Sequence, residues 1–126
     1  MTPETFPKTF AAAFSARDAE ALAGMMTEDA ALVSLTGQWV EGRTLIRDTW
    51  AAEFAGTLRM ARLVTGRQRI HPAGQAAVVS QRFVLSGALA PDGHEMPRCA
   101  VLLQGMLAPA EDGWHAVSIS LTVLSD

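Results

Sequence analysis

The sequence has little of what several protein classes require. Its 126 residues include one cysteine and no tyrosine, and nine of its ten basic residues are arginine. The single cysteine, Cys99, excludes a disulfide within the chain and a cysteine-based zinc cluster. Thirteen acidic residues against ten basic ones give a formal net charge of −3. We therefore expect neither nucleic acid nor a membrane among its partners, since both need a basic surface.

Motifs for a cofactor or a metal are also missing. None of the ten glycines forms the glycine-rich loops that hold dinucleotides or nucleoside triphosphates. The three histidines lack the spacing of metal ligands on a helix, so the sequence predicts no cofactor and no metal site. His71 is interpreted as a residue of a surface turn, and His94 as an exposed residue of the turn at Asp92 and Gly93.

The chain contains no long hydrophobic run. The apolar residues 10–14 are too few to span a membrane, and the first eight residues carry an acid and two prolines where a secretory signal needs basic residues. An apolar fraction of 49% and a mean hydropathy of +0.18 are typical of a globular domain. We expect one domain over residues 1–126, located in the cytoplasm.

The first half of the sequence has helical patterns. Phenylalanine recurs every fourth residue at Phe6, Phe10 and Phe14, which places three rings on one stripe of a helix. A later segment places Ile46, Trp50 and Phe54 on one face in the same way. The predicted helices begin after the cap Thr5, after the cap Asp18 and at Arg43, and the last two end near Met26 and Ala55.

From about residue 58 the apolar pattern has a period of two, which predicts strands. A short hairpin, residues 31–35 and 38–40, precedes the third helix, and later strands are predicted near residues 58–70, 76–87, 97–108 and 114–124. Helices followed by hairpin-connected strands indicate an α+β fold. Alternate residues are apolar on both faces of the third long strand: Cys99, Val101, Leu103 and Leu107 on one, Ala100, Leu102 and Met106 on the other. Three short helices can cover one face, so we expect the other to pack on a second copy of the chain.

Four segments resemble the SnoaL-like branch of the NTF2-like superfamily, including its SgcJ/EcaC type. They are the helix pair at residues 10–22, the junction at 26–30, the hairpin at 37–43 and the strand start at 112–114. The resemblance implies a cone-shaped fold in which a curved antiparallel sheet wraps around the N-terminal helices. It also implies an apolar pocket between sheet and helices, and a homodimer through the outer face of the sheet. Relatives include cyclases, isomerases, dehydratases, hydrolases and proteins without catalysis, so fold alone does not assign the function.

Enzymes similar to this protein hold a base, Asp or His, on a strand that faces the pocket, often opposite a tyrosine. This sequence has no tyrosine, and Ser118 and Ser120 stand at the pocket-side positions of the last strand. The remaining candidates for a base are weak: Asp29 at a helix–strand junction and His115 in a strand. The sequence does not decide whether the protein is an enzyme. The absence of a carboxylate on a pocket-facing strand favours a protein without catalysis.

The predicted ligand is a small apolar or weakly polar molecule held in the cavity between sheet and helices, without acid–base catalysis. The alternative is a cofactor-independent isomerase, cyclase or hydrolase acting on a polyketide-like or terpenoid-like substrate, with an arginine as electrophile. Asp48 and Glu53 lie off the apolar stripe of the third helix and are expected on its solvated side. Cys99 is interpreted as a small buried apolar residue. The predicted ligand-binding residues are Trp39, Trp50, Phe54, Arg82, Arg98, Gln104, Ser118 and Ser120.

Overall fold

The computed structural model describes residues 1–125 and has the predicted α+β class, with N-terminal helices on one side of a six-stranded sheet. None of its helices within those residues has the length and apolar character needed to cross a bilayer. The helices are α1 (Phe6–Ser15), α2 (Ala19–Gly24) and α3 (Arg43–Ala55); the strands are β1 (Met26–Val33), β2 (Trp39–Glu41), β3 (Arg62–Ala73), β4 (Ala76–Ser86), β5 (Cys99–Ala110) and β6 (Gly113–Val123).

The sheet is curved and does not close, and its strand order is β2-β1-β6-β5-β4-β3. Neighbouring strands are antiparallel except β1 and β6, which are parallel. This pair departs from the antiparallel sheet that the sequence predicts. The chain reaches β6 only after β2, α3 and three further strands, and such a long connection permits parallel pairing. Strands β2 and β3 form the two edges.

The helix boundaries follow local signals with one exception. Helix α1 begins directly after Thr5, and the carboxylate of Asp18 caps α2 by accepting a hydrogen bond from the backbone N–H of Ala21 at 3.0 Å. Helix α2 ends at Gly24, not at Met26 as predicted, because Met26 already pairs with Ala116 of β6. Residues 27–29 therefore lie inside β1.

Strand β3 begins later than the sequence indicates. Residues 56–61 form tight turns, in which the N–H of Leu58 donates to the carbonyl of Glu53 at 2.8 Å and the N–H of Ala61 to that of Leu58 at 3.1 Å. Leu58 and Ala61 are both buried. Their apolar side chains produced the strand-like pattern, but turns bury them.

One face of the sheet, here called the covered face, packs against the helices. In β4 the buried residues alternate with half-buried ones, and Phe83 contacts Phe10 of α1 with a centroid distance of 6.1 Å. Gly105 of β5 faces α1 so closely that a Cβ there would lie 2.7 Å from the ring of Phe6. Six rings, here called the ring cluster, fill the space between the helices and the central strands: Phe6, Phe10, Phe14, Trp50, Phe54 and Phe83.

The opposite face of the sheet, here called the open face, carries the side chains that do not face the helices. The strand register shows which side chains lie on this face, because paired residues on neighbouring strands point to the same side of the sheet. One row crosses all six strands through successive pairings, and it mixes an exposed tryptophan with hydroxyl, amide and basic side chains. The row consists of Trp39, Val33, Ser120, Gln104, Ser80 and Arg69.

Candidate functional site

The predicted ligand-binding residues lie on two different faces of the sheet. Trp50 and Phe54 belong to the ring cluster, stacked at 5.6 Å between ring centroids. Trp39, Gln104 and Ser120 share the row on the open face, where the amide of Gln104 donates to the hydroxyl of Ser80 at 3.2 Å. Across four strands, Trp39 and Gln104 are about 14 Å apart, so they do not form one small site.

Ser118 and Ser120 point away from the helices, contrary to the expectation that they face the pocket side. A register shift in β6 explains the difference: Met106 pairs with Ser118, but the next residue, Leu107, pairs with Ala116. Val117 is the extra residue of this bulge. Ile119 and Leu121 therefore turn to the covered face, and the serines turn to the open face.

Arg82 and Arg98 both lie at one end of the open face. They line a groove of about 600 Å³, here called the arginine groove, between the ends of β3, β4 and β5. Cys99 is also among the lining residues, but it pairs with the buried Leu85 and packs half-buried against the core, as the sequence predicts for a small apolar residue. The remaining walls are Val64, Val84, Ser86 and Ala100.

Space between helices and sheet lies along α1 and the edge strand β3. Two clefts of about 480 and 390 Å³ run along this line, and Ala11 lines both. We call them together the helix–strand groove. Its walls include Ala11, Phe14, Arg17, Leu63 and Val64 in one cleft, and Thr5, Lys8, Ala11, Thr65, Gln68 and Gln81 in the other.

Gln81 holds the part of the β3 backbone that borders this groove. It is 1% exposed, and its side-chain amide donates to the carbonyls of Gly66 at 3.0 Å and Arg67 at 3.3 Å. Those carbonyls belong to a bulge between Thr65 and Gln68, where β3 loses its regular pairing with β4. A polar side chain on an otherwise apolar face therefore satisfies the backbone that the bulge leaves unpaired.

Arg17 fixes the other end of the groove. Its guanidinium donates to the carbonyl of Phe14 at 3.0 Å and to that of Ala61 at 2.6 Å, and lies 5.7 Å from the ring centre of Phe14 and 5.8 Å from that of Phe54. Its backbone has a positive φ of 56°, which few residues other than glycine adopt. No pattern in the sequence singles out Arg17, because two of its partners come from the turn before β3.

Glu53 is buried, so the expectation that it lies on a solvated helix face is wrong. It is 5% exposed, and its Oε2 accepts a hydrogen bond from the hydroxyl of Thr36 at 3.1 Å. That hydroxyl lies 3.0 Å from the hydroxyl of Ser34, which in turn accepts from the N–H of Gln38. Oε1 has no partner within residues 1–125. Burial raises the pKa of Glu53, and the hydrogen bonds of Ser34 and Thr36 offset this in part.

The two candidate bases lie apart from these grooves. Asp29 is exposed in β1, where it accepts a hydrogen bond from the hydroxyl of Thr27 at 3.3 Å. His115, near the start of β6, has its Nε2 at 2.9 Å from the carboxylate of Asp112, and this hydrogen bond lowers the pKa of Asp112. Neither Asp29 nor His115 lines the arginine groove or the helix–strand groove.

The other two histidines are exposed. His94 pairs with Asp92 in the turn before β5, as expected, whereas His71 lies within β3 and not in a turn. Among residues 1–125 there is no cluster of three or more His, Cys, Asp or Glu side chains placed to hold a metal ion.

Comparison with known proteins identifies the family. The family model of the SnoaL-like domain matches residues 4–125, almost the whole chain. A sequence search of curated proteins finds no match.

Solved structures with the same fold include three bacterial proteins. An uncharacterised protein with a cystatin-like fold from Caulobacter vibrioides is 18% identical, with a TM-score of 0.87 over 97% of this chain and 87% of that one. An NTF2-like protein from Novosphingobium aromaticivorans is 17% identical, with a TM-score of 0.75 over 97% and 79%. A candidate dehydratase of the NTF2-like family from Streptomyces avermitilis is 16% identical, with a TM-score of 0.76 over 95% and 91%. At these identities the likeness concerns the fold.

Proposed function

The chain belongs to the SnoaL-like domain family of the NTF2-like superfamily, and from that premise we propose that it is a homodimer that binds a small molecule. The ligand is apolar or weakly polar and occupies the helix–strand groove, without acid–base catalysis. The observation that carries this proposal is that the ring cluster fills the centre of the covered face, while the groove beside it stays open. A cytoplasmic location is part of the proposal, supported by a single cysteine.

The chemistry of the groove supports binding over proton transfer. Ala11, Phe14, Leu63 and Val64 supply apolar walls, and the amide of Gln81 lies at the floor. Volumes of 390 and 480 Å³ fall in the range of small-molecule sites. The buried acid Glu53 is not among the residues that line it.

Blocking the groove tests this proposal. Ala11 lines both clefts and is half-buried, whereas its neighbour Ala12 is exposed and lines neither. We expect the neutral dye Nile red to bind the wild-type protein and to raise its melting temperature. Saturation at 100 times the dissociation constant corresponds to about 2.7 kcal/mol of added stability. Ala11→Trp should abolish binding, and Ala12→Trp should preserve it; equal binding by both variants would refute the groove as the site.

The homodimer is supported by large apolar side chains on the open face. Trp39 is 73% exposed, and Val33 and Met106, which lie on the same face, are also exposed. An apolar surface left uncovered in one copy is typical of a protein–protein interface. Tryptophan is enriched among the residues that dominate binding energy, so we place Trp39 in the interface.

Light scattering at micromolar concentration tests the dimer. We expect twice the 13.4 kDa mass of the chain for the wild-type protein. Trp39→Ser should weaken association by about 30-fold, the equivalent of about 2 kcal/mol. Leu45→Ser is the matched control, because Leu45 is exposed on α3 and far from the open face by topology. A wild-type mass of 13.4 kDa would contradict the proposal.

A further inference from the structure

We propose that the arginine groove is a second ligand site, selective for a small organic carboxylate with an apolar body. It lies on the open face, opposite the helix–strand groove, and so goes beyond the binding function proposed above. Three features carry this inference: the alternation of cationic and apolar rows, the local charge of the chain, and the size of the groove.

The strand register places an apolar row between two arginines. Val64, Val84 and Ala100 are paired across β3, β4 and β5, so their side chains lie side by side on the open face. Arg82 is two residues before Val84 on β4, about 7 Å along the strand. Arg98 lies two residues before Ala100, and because β4 and β5 are antiparallel it stands on the opposite side of the row from Arg82. The groove therefore offers an apolar floor with an arginine on each side.

Arg98 is placed to pair with an incoming anion. It is exposed, and its side chain forms no hydrogen bond or ion pair within residues 1–125. No acidic residue is among the described residues that line the groove. The planar fork of an arginine binds both oxygens of a carboxylate at once, which a lysine cannot do.

The charge of the chain is distributed in favour of an anion at this end of the sheet. The protein has a net charge of −3, but residues 59–98 contain six arginines and only two acids. Residues 1–58 contain eight acids and four basic residues. Both acids lie in the segment before β5, so an anion is attracted to β3 and β4 and repelled from the helices.

The size of the groove requires more than an isolated anion. Its volume of about 600 Å³ accommodates a ligand with an apolar body as well as a carboxylate. Val64 is 63% exposed in the groove wall, so a bound apolar body would remove this side chain from water. A medium-chain carboxylate such as octanoate satisfies both the charge and the apolar floor.

Calorimetric titration provides a direct readout of binding. We expect octanoate to bind with a dissociation constant in the millimolar range or below, because Arg98 can pair with its carboxylate. Octan-1-ol should bind at least tenfold more weakly, since it carries no charge.

Two variants separate a specific site from a general basic surface. Arg98→Gln should weaken octanoate binding at least tenfold in calorimetry. Arg69→Gln is the matched control, because Arg69 lies on the same open face but does not line the groove. Its octanoate affinity should stay within twofold of the wild-type value. Ala11→Trp should also leave octanoate binding unchanged, so a failure of this site and of the helix–strand groove can be told apart.

Several results would overturn the proposal. Equal affinity for octanol would reduce the groove to an apolar cleft, and equal affinity for inorganic phosphate would reduce it to an unspecific anion patch. Equal losses in Arg98→Gln and Arg69→Gln would show that only the overall charge matters. Calorimetry that detects no octanoate binding at millimolar concentration would exclude the site.

Discussion

The two faces of the sheet are built from the same strands but differ in how tightly their side chains are packed. On the covered face, large apolar side chains such as Phe83 and Leu103 pack into the ring cluster and are fully buried. On the open face, the neighbouring residues Arg82, Val84 and Gln104 stay partly or fully accessible. Packing therefore constrains one face, and the other is free to carry binding surfaces. Stability and binding can therefore be tested separately by substituting adjacent residues of one strand.

Strand β3 extends this comparison to a single element. Its neighbour β4 buries every second residue, but in β3 only Leu63 and Ile70 pack against the core. An edge strand with so little packing leaves space on both of its sides. Both proposed grooves lie against it, and Val64 lines one on each side.

The largest effect should come from removing a ring on the covered face. Phe83→Ala deletes a fully buried side chain that contacts Phe10, and large-to-small changes of this kind cost about 3–5 kcal/mol. Val84→Ala changes the next residue of the same strand, on the open face, and should cost about 0.5 kcal/mol. Urea unfolding of both variants measures the difference.

The slope of that unfolding transition provides the control. It should be the same in both variants, since each exposes nearly the same surface on unfolding. Similar losses of stability in Phe83→Ala and Val84→Ala would break the comparison, because they would show that the open face is as tightly packed as the covered one.

A smaller effect should come from adding one methyl group to the covered face. A Cβ at Gly105 would lie 2.7 Å from the ring of Phe6, so Gly105→Ala forces this ring to move and should cost about 1–3 kcal/mol. Gly24→Ala is the matched control, because a Cβ there meets nothing within 4 Å. Alanine is also the better helix former at this end of α2, so the control should be neutral or slightly stabilising. A neutral Gly105→Ala would indicate space beneath the sheet that the ring cluster leaves free.

Much of the fold could be predicted because its signals are local. The fourfold spacing of Phe6, Phe10 and Phe14 predicts the buried stripe of α1, and strict alternation predicts which residues of β5 share a face. The bulge at Val117 has no such signal, since it arises from pairing between β5 and β6. It therefore reversed the predicted side of Ser118 and Ser120.

The candidate sites were less predictable because contacts between distant segments build them. Arg17 is fixed by carbonyls of the turn before β3, and Gln81 by a bulge in β3. Trp39 lies in a strand of three residues, too short for its period to show which face it occupies. Arg82 and Arg98 were identified as candidates from their apolar neighbours, but the face on which they meet depends on the strand register.

The smallest expected effect concerns Glu53, the one ionisable side chain buried among residues 1–125. Burial raises the pKa of its carboxyl group in the folded protein above the ordinary value of 4.5. Above about pH 4.5 the folded state therefore binds more protons at Glu53 than the unfolded state does. The contribution of Glu53 to the free energy of unfolding is present at lower pH and is lost as the pH rises through the raised pKa. Glu53→Gln removes this titration. Between pH 4 and 7 the free energy of unfolding of the variant should rise by on the order of 1 kcal/mol relative to the wild-type protein, because the variant no longer buries an ionised carboxylate with an unpartnered oxygen. Unfolding at each pH measures the difference, with Asp48→Asn on the exposed side of α3 as the control. If the difference in the free energy of unfolding between Glu53→Gln and the wild type stays constant or falls as the pH rises, Glu53 behaves as a solvent-exposed acid.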